Sequence, residues 1–321
     1  MLLKEVKCLT NKPIDTSGAI IPYDEPVTYS RMLEYINIFS ERYNSFHVTY
    51  LGQSILGKKI PMITLGKGKK TVLYVGAHHG MEWITTALLL KFANEYCELL
   101  ESNGHIGHTS VSYLNSTRSI CIVPMLNPDG VEYQIEGVKA DNPLRGRLIK
   151  MNGGSDDFSM WQANARGVDL NHNYDAGFFE YYKKDSTQKL SDGAPTKWCG
   201  NIPESEPESG LLANFVRFNR DIGLSLAFHS QGEEIYYGDC FDPPSENLRA
   251  GKILARMSGY KLCKTEGTAT SGGFTDWVVK ELRKPAFTVE CGKGENPLPI
   301  ESLFEIYFKL RRMLFEAPMI I

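Results

Sequence analysis

The sequence predicts an α/β fold with three layers, α/β/α, around a mixed, mostly parallel twisted sheet. Four apolar runs of strand length are spread along the chain: Thr71–Ala77, Ser119–Met125, Gly223–Phe228 and Ala286–Val289. Segments with apolar residues at helical spacing alternate with them, the pattern of a sheet covered by helices on both faces. Each run leads into a polar group, His79, Asn127, His229 or Glu290. In open α/β sheets the carboxyl ends of the strands are where ligands bind.

In chain order, residues 1–27 carry Pro13, Pro22 and Pro26 and read as an N-terminal arm laid over the rest. Residues 28–321 read as one domain, because no internal repeat, low-complexity tract or linker interrupts them. Thr28 is a candidate N-cap for a helix to about Tyr43, with Met32, Leu33, Ile36 and Phe39 at helical spacing. Phe46–Leu51 and Lys59–Leu65 read as strands of a hairpin turning over Gly52–Gly57, and Lys67–Lys70 as a solvated basic turn. Thr71–Ala77 then runs through His78-His79-Gly80-Met81-Glu82-Trp83 into a helix from Ile84 to about Glu101. After Ser119–Met125, the stretch Leu126-Asn127-Pro128-Asp129-Gly130 gives a strong turn signal. Residues 134–167 and 175–203 read as long loops, which in compact domains are often functional. Helices are expected over Ser205–Arg220, Glu246–Ser258, Phe274–Leu282 and Pro299–Phe315.

Composition narrows the function. Across 321 residues the net charge is −3, so nothing favours nucleic acid or an anionic membrane surface as partner. No apolar stretch approaches the roughly 20 residues of a spanning helix, and Met1–Lys7 lacks the apolar core of a signal peptide. The seven cysteines are odd in number, scattered and free of Cys-x-x-Cys pairs, which reads as a reduced, cytoplasmic setting.

His79 and Glu82 are three residues apart where a buried strand gives way to a helix, so both side chains can reach one point. Imidazole nitrogen and carboxylate oxygen are ordinary zinc ligands, and catalytic zinc takes three protein ligands plus water. Alone, a His-x-x-Glu pair is a weak signal. His229, ending another strand, is the best third ligand, although a lone histidine at a strand end is more often structural. Glu290 follows four apolar or β-branched residues and would be costly to bury without a partner. A metal with its water is one such partner, and a salt bridge at a sheet edge is another.

The order of motifs adds to this reading. His79-x-x-Glu82-Trp83, Asn127-Pro128-Asp129-Gly130, Gly167-Val168-Asp169-x-Asn171-x-Asn173, His229-Ser230, Ser271-Gly272-Gly273-x-x-Asp276-Trp277 and Phe287-Thr288-x-Glu290 resemble the blocks of zinc carboxypeptidases of the carboxypeptidase A-like family. The resemblance runs from about Thr28 to the end. Trp161–Asn171, His229–Tyr236 and Lys284–Thr288 are similar to the bacterial branch of γ-D-glutamyl-L-diamino acid endopeptidases, which cut peptidoglycan stem peptides. It implies one Zn²⁺ held by His79, Glu82 and His229, with Glu290 as general base. It also implies that Asp169 orients the first histidine and that Asn171 binds a substrate carboxylate.

Departures from the family pattern bear on substrate. His172 stands where an arginine usually clamps the terminal carboxylate. Thr268 stands at the position of a mobile tyrosine, and Gln162 at that of the oxyanion arginine. Arg166 is the substitute candidate, with Arg145 and Arg147 behind it. Thr275 occupies the position that shapes the specificity pocket, and a small polar group there suits neither a large apolar nor a simple basic side chain. These changes point to the γ-D-Glu–diamino acid bond (meso-diaminopimelate or lysine) of a murein stem peptide. Two other readings keep part of the pattern: a carboxypeptidase or deglutamylase acting on protein tails, and an inactive zinc-binding muropeptide sensor.

Overall fold

The central strands are where the sequence is most apolar, and burial on both faces explains why. In the computed structural model, which describes residues 25–184, 192–238, 245–264 and 271–321, the elements run as follows. Helix α1 (Tyr29–Arg42) precedes β1 (His47–Gln53), β2 (Lys59–Gly66) and β3 (Lys70–Val75). Then come α2 (Ile84–Glu101), β4 (His105–Ile106), β5 (Thr109–Ser110), α3 (Val111–Thr117), β6 (Arg118–Val123), α4 (Pro128–Glu136), α5 (Arg145–Met151) and α6 (Phe178–Lys184). The last part holds α7 (Pro207–Phe218), β7 (Ile222–His229), β8 (Glu234–Tyr237), α8 (Ser245–Ser258), β9 (Lys261–Lys264), α9 (Phe274–Leu282), β10 (Ala286–Glu290) and α10 (Leu303–Glu316).

Eight strands form one sheet in the order β1-β2-β6-β3-β7-β10-β8-β9. The four expected strands are its centre, β6, β3, β7 and β10, and all are mutually parallel. Their side chains alternate between two cores, as a period of two requires. Val72 and Tyr74 face the core built with α1, α2 and α10, whereas Leu73 and Val75 face the one built with α7 and α9. Helices on both faces give the three expected layers. Parallel strands so covered are apolar almost throughout. No helix among the described residues is long and apolar enough to cross a membrane.

Local chemistry explains both agreements and misses. Thr28 caps α1, accepting from Arg31 N at 3.2 Å. The expected turn at Asn127–Gly130 is instead the start of α4. Asn127 Oδ1 accepts from Gly130 N at 2.9 Å, and Pro128 occupies the first helical turn. Asn and Pro serve turns and helix starts alike, so the dipeptide alone does not separate them. The loops read over 134–167 and 175–203 contain α5 and α6, each only seven residues long. Strands β8 and β9, of four residues each, are too short for alternation to mark. Helix α10 begins at Leu303, after a 3₁₀ turn at Ile300–Ser302 that the sequence reading had merged with it. Of the N-terminal arm, residues 1–24 lie outside the described residues, as do Cys8 and Cys240; Cys97, Cys121, Cys199, Cys263 and Cys291 form no disulfide with one another.

Candidate active site

The site begins with a turn that cannot relax. Strand β3 ends at Val75, Ala77 takes the left-handed conformation at φ 47°, and Gly80 starts a short 3₁₀ turn that ends on Glu82. A Cβ on Gly80 would lie 2.5 Å from the carbonyl oxygen of Gly130 and 2.8 Å from that of Trp161, so only glycine fits. Asn127 Nδ2 donates to the carbonyls of His78 (3.1 Å), Gln162 (3.2 Å) and Ala163 (3.2 Å) and so ties three segments together. Thr85 Oγ1 accepts from Ala77 N and donates to Glu82 O, both at 2.8 Å.

This framework brings the sequence-predicted ligands together. His79 Nδ1 lies 3.0 Å from Glu82 Oε1, and His229 Nδ1 lies 2.8 Å from Glu82 Oε2. One potential ligand atom from each of the three residues lies within 4.8 Å of the others. Glu82 and His229 are buried, and His79 is partly exposed. Two imidazoles and a carboxylate aimed at one another form a donor set that zinc takes readily. On its far side, His79 Nε2 meets Asp169 Oδ1 at 3.0 Å. Asp169 is itself held by backbone N–H groups, from Asn171 at 3.1 Å and Lys197 at 3.0 Å. Such an outer carboxylate fixes the orientation and tautomer of a ligand histidine. His78, by contrast, is wholly buried, stacks on His229 and reaches the Tyr174 hydroxyl at 3.3 Å. It packs behind the ligand cluster.

The electrostatics at the cluster pair His79 with two carboxylates. Burial disfavours a charged imidazole at His79, yet Glu82 and Asp169 outweigh it and hold the ring's pKa well above the usual histidine range. Burial would raise Glu82, but His79 and His229 pull its carboxyl down to about 2. Asp169 is lowered despite its burial, chiefly by His79 and His172. Carboxylates that raise the proton affinity of His79 in this way also favour a metal cation beside it.

Glu290 ends β10 and pairs in register with His229 on one side and Glu234 on the other. Burial, then the charge of Glu82, pushes its carboxyl well above the ordinary range. Perturbed carboxyls of this kind cluster at functional sites. Glu290 opens onto a cleft of about 800 Å³ that is also lined by Asn171, Ser230, Gln231, Asn296, Thr288, Glu234 and Tyr236, and by Lys261–Lys264 of β9.

The remaining sequence candidates fall in different places. Asn171 lines the cleft, and its Oδ1 accepts from Phe274 N at 3.2 Å. Thr275 sits just behind the cleft wall, its hydroxyl 2.8 Å from that of Thr288. His172 stacks on Tyr181, with ring centres 4.0 Å apart, and its Nδ1 meets Ser271 O at 2.9 Å. Arg166 is half exposed and lies 3.6 Å from Glu206. Arg145 bonds the Val138 carbonyl and Arg147 that of Asp192; none of the three arginines lines the cleft. Thr268 lies outside the described residues. Sequence reasoning assigned no role to Tyr236, Lys261 or Cys263, which the two unread strands carry. The alternating pairs Glu234/Tyr236 and Lys261/Cys263 were the available signal.

The chain belongs to the zinc carboxypeptidase family, whose model matches residues 32–309. Members of that family are metallopeptidases that use a zinc ion, and this chain is one such peptidase. It is 35% identical, over 87% of its length and 69% of the relative's, to γ-D-glutamyl-L-diamino acid endopeptidase 1 of Lysinibacillus sphaericus. With carboxypeptidase B of Bos taurus it shares 26% identity over 75% of this chain and 56% of the relative. Among solved structures, thrombin-activatable fibrinolysis inhibitor superposes with a TM-score of 0.71 at 20% identity, covering 93% of this chain and 75% of the other. The murein-tripeptide amidase of Escherichia coli O157 does so with a TM-score of 0.51 at 19% identity, covering 84% and 91%. These structural likenesses establish the shared carboxypeptidase-like fold.

Proposed function

We propose that the protein hydrolyses the amide bond between γ-linked D-glutamate and a diamino acid in murein stem peptides. The observation that carries this is the 35% identity, over 87% of the chain, to a relative named for that bond. The polar cleft beside Glu290 supports it: Thr288, Tyr236, Glu234 and Lys261 suit a charged side chain better than the large apolar one of an ordinary protein C-terminus.

In the proposed mechanism His79, Glu82 and His229 would hold the zinc, and Asp169 fixes the His79 ring. Bound there, zinc would supply Lewis acidity toward the scissile carbonyl and the attacking water. Glu290 accepts the proton of the attacking water and delivers it to the leaving amine of the diamino acid. Arg166, three residues before Asp169 and held by Glu206 in a half-exposed pair, is the proposed donor to the developing oxyanion. Asn171 and His172 orient the substrate's free carboxylate, with Thr275 behind the pocket wall.

Incubating zinc-loaded protein with L-Ala-γ-D-Glu-meso-diaminopimelate and reading the products by mass spectrometry tests the proposal. Release of L-Ala-D-Glu is expected, and a chelator or Glu290→Gln should abolish it. Intact tripeptide, alongside turnover of α-linked C-terminal residues, would replace the murein substrate with protein tails.

A further inference from the structure

Away from the ligand cluster, the cleft floor is one face of three neighbouring strands. Strand register sets Glu290, Glu234 and Lys261 in one row across β10, β8 and β9, and Thr288, Tyr236 and Cys263 in the next. Residues in one row project from the same face, and all six line the cleft. With strands roughly 4.8 Å apart, the Glu234–Lys261 pair begins about one strand spacing from the candidate base. Lys261 Nζ is 3.3 Å from Glu234 Oε1, the Cys263 thiol donates to the same oxygen at 3.4 Å, and the Tyr236 hydroxyl donates to Oε2 at 2.5 Å. The carboxylate is thus fixed from two sides. The lysine is not: its side chain is 75% exposed, against 25% for Glu234.

Resting on the function proposed above, we propose that Glu234 and Lys261 select meso-diaminopimelate over lysine as the diamino acid. The two substrates present the same leaving amine and differ at the far end of the side chain. Lysine ends in an ammonium alone, whereas diaminopimelate ends in an ammonium and a carboxylate on one carbon. Glu234 takes the distal ammonium and Lys261 the distal carboxylate. An exposed ion pair is weakly held, and exchanging it for a zwitterion leaves each protein charge with an opposite partner. A lysine side chain would satisfy Glu234 but displace Lys261 and set its ammonium against another, with nothing to offset the repulsion. Tyr236 and Cys263 keep the Glu234 carboxylate aimed through the exchange. The neighbouring Glu233 is taken up by Lys293 and Lys309, which leaves Glu234 as the acid facing the cleft from β8.

The test compares kcat/KM on L-Ala-γ-D-Glu-meso-diaminopimelate and L-Ala-γ-D-Glu-L-Lys for the wild type, Lys261→Ala, Lys261→Glu and Lys261→Arg. Because Lys261 is exposed, all three variants should fold. The wild type should favour diaminopimelate by about tenfold or more. Lys261→Ala should erase most of that ratio, Lys261→Glu should invert it, and Lys261→Arg should retain it. A wild type indifferent to the third residue, or one preferring lysine, overturns the inference while leaving the amidase intact, as does a ratio that no variant moves. Cleavage of neither peptide removes the amidase proposal itself, and the inference with it.

Discussion

Two parts of one sheet behave differently. At its centre, β3, β7 and β10 run parallel, are covered on both faces, and deliver His79, Glu82, His229 and Glu290 at their carboxyl ends. At its edge, β8 and β9 are four residues long and carry Glu234, Tyr236, Lys261 and Cys263 on a face open to the cleft. The centre is largely buried and braced by backbone bonds, which suits the proposed tasks of holding a metal and moving a proton. The edge is more exposed and joined by an ion pair open to solvent, which can trade partners at little cost. Chemistry set in a rigid centre and recognition placed at an adaptable edge can change independently. The family's several substrates on one fold are consistent with that division.

Substitutions at the centre should abolish turnover of every substrate, whereas those at the edge should alter choice. His229→Ala should have the largest effect. It removes one of three proposed ligands, and bound zinc by elemental analysis and activity should both fall to background; retention of stoichiometric zinc would place the metal elsewhere. Arg166→Ala should lower kcat by about 10²-fold with little change in KM, the usual loss of one oxyanion donor. A fall of less than threefold would return Arg166 to a structural pair with Glu206. Asp169→Asn keeps the shape but loses the charge facing His79, and should weaken zinc affinity by about 10- to 100-fold in a competition titration. An unchanged affinity would mean that backbone contacts alone orient the ring.

The smallest effect concerns stability and lies away from both regions. Glu208 is wholly buried, accepts from Ile55 N at 3.2 Å, and has its carboxyl pushed up to about 8, first by burial and then by Asp129. Its pKa is raised in the fold, so its contribution is fully present below the unfolded value and is lost as pH rises through about 8. Glu208→Gln keeps the acceptor without the charge. It should raise the melting temperature at pH 9 by several degrees, an effect on the order of a few kcal/mol, and leave it nearly unchanged at pH 5. Equal shifts at both pH values would show that Glu208 does not titrate in the fold.

How far each region could be read from sequence follows the same division. Burial on both faces forces continuous apolar runs, so the four central strands and the polar residues after them stand out. His79 and Glu82 could be proposed as ligands from their type and spacing, and His229 joined them through its place at a strand end and the ordered motifs shared with the family. The edge carries no such constraint. Four-residue strands leave two residues per face, and Lys261 and Cys263 join Glu234 only through pairing across distant chain segments. Asn127 was misjudged for a related reason: its role as helix cap and as tie between His78, Gln162 and Ala163 is tertiary. Arg166 was chosen by its position beside a motif, and only the structure shows Glu206 beside it.

The central claim is that His79, Glu82 and His229 are the zinc ligands, and X-ray absorption at the zinc edge tests it most directly. One zinc per chain, with nitrogen and oxygen scatterers at about 2.0–2.2 Å and no sulfur shell, is expected, and the signal should vanish in His229→Ala. A sulfur shell at about 2.3 Å, or an unchanged spectrum in that variant, would place the metal on the cysteines or elsewhere and contradict the assignment.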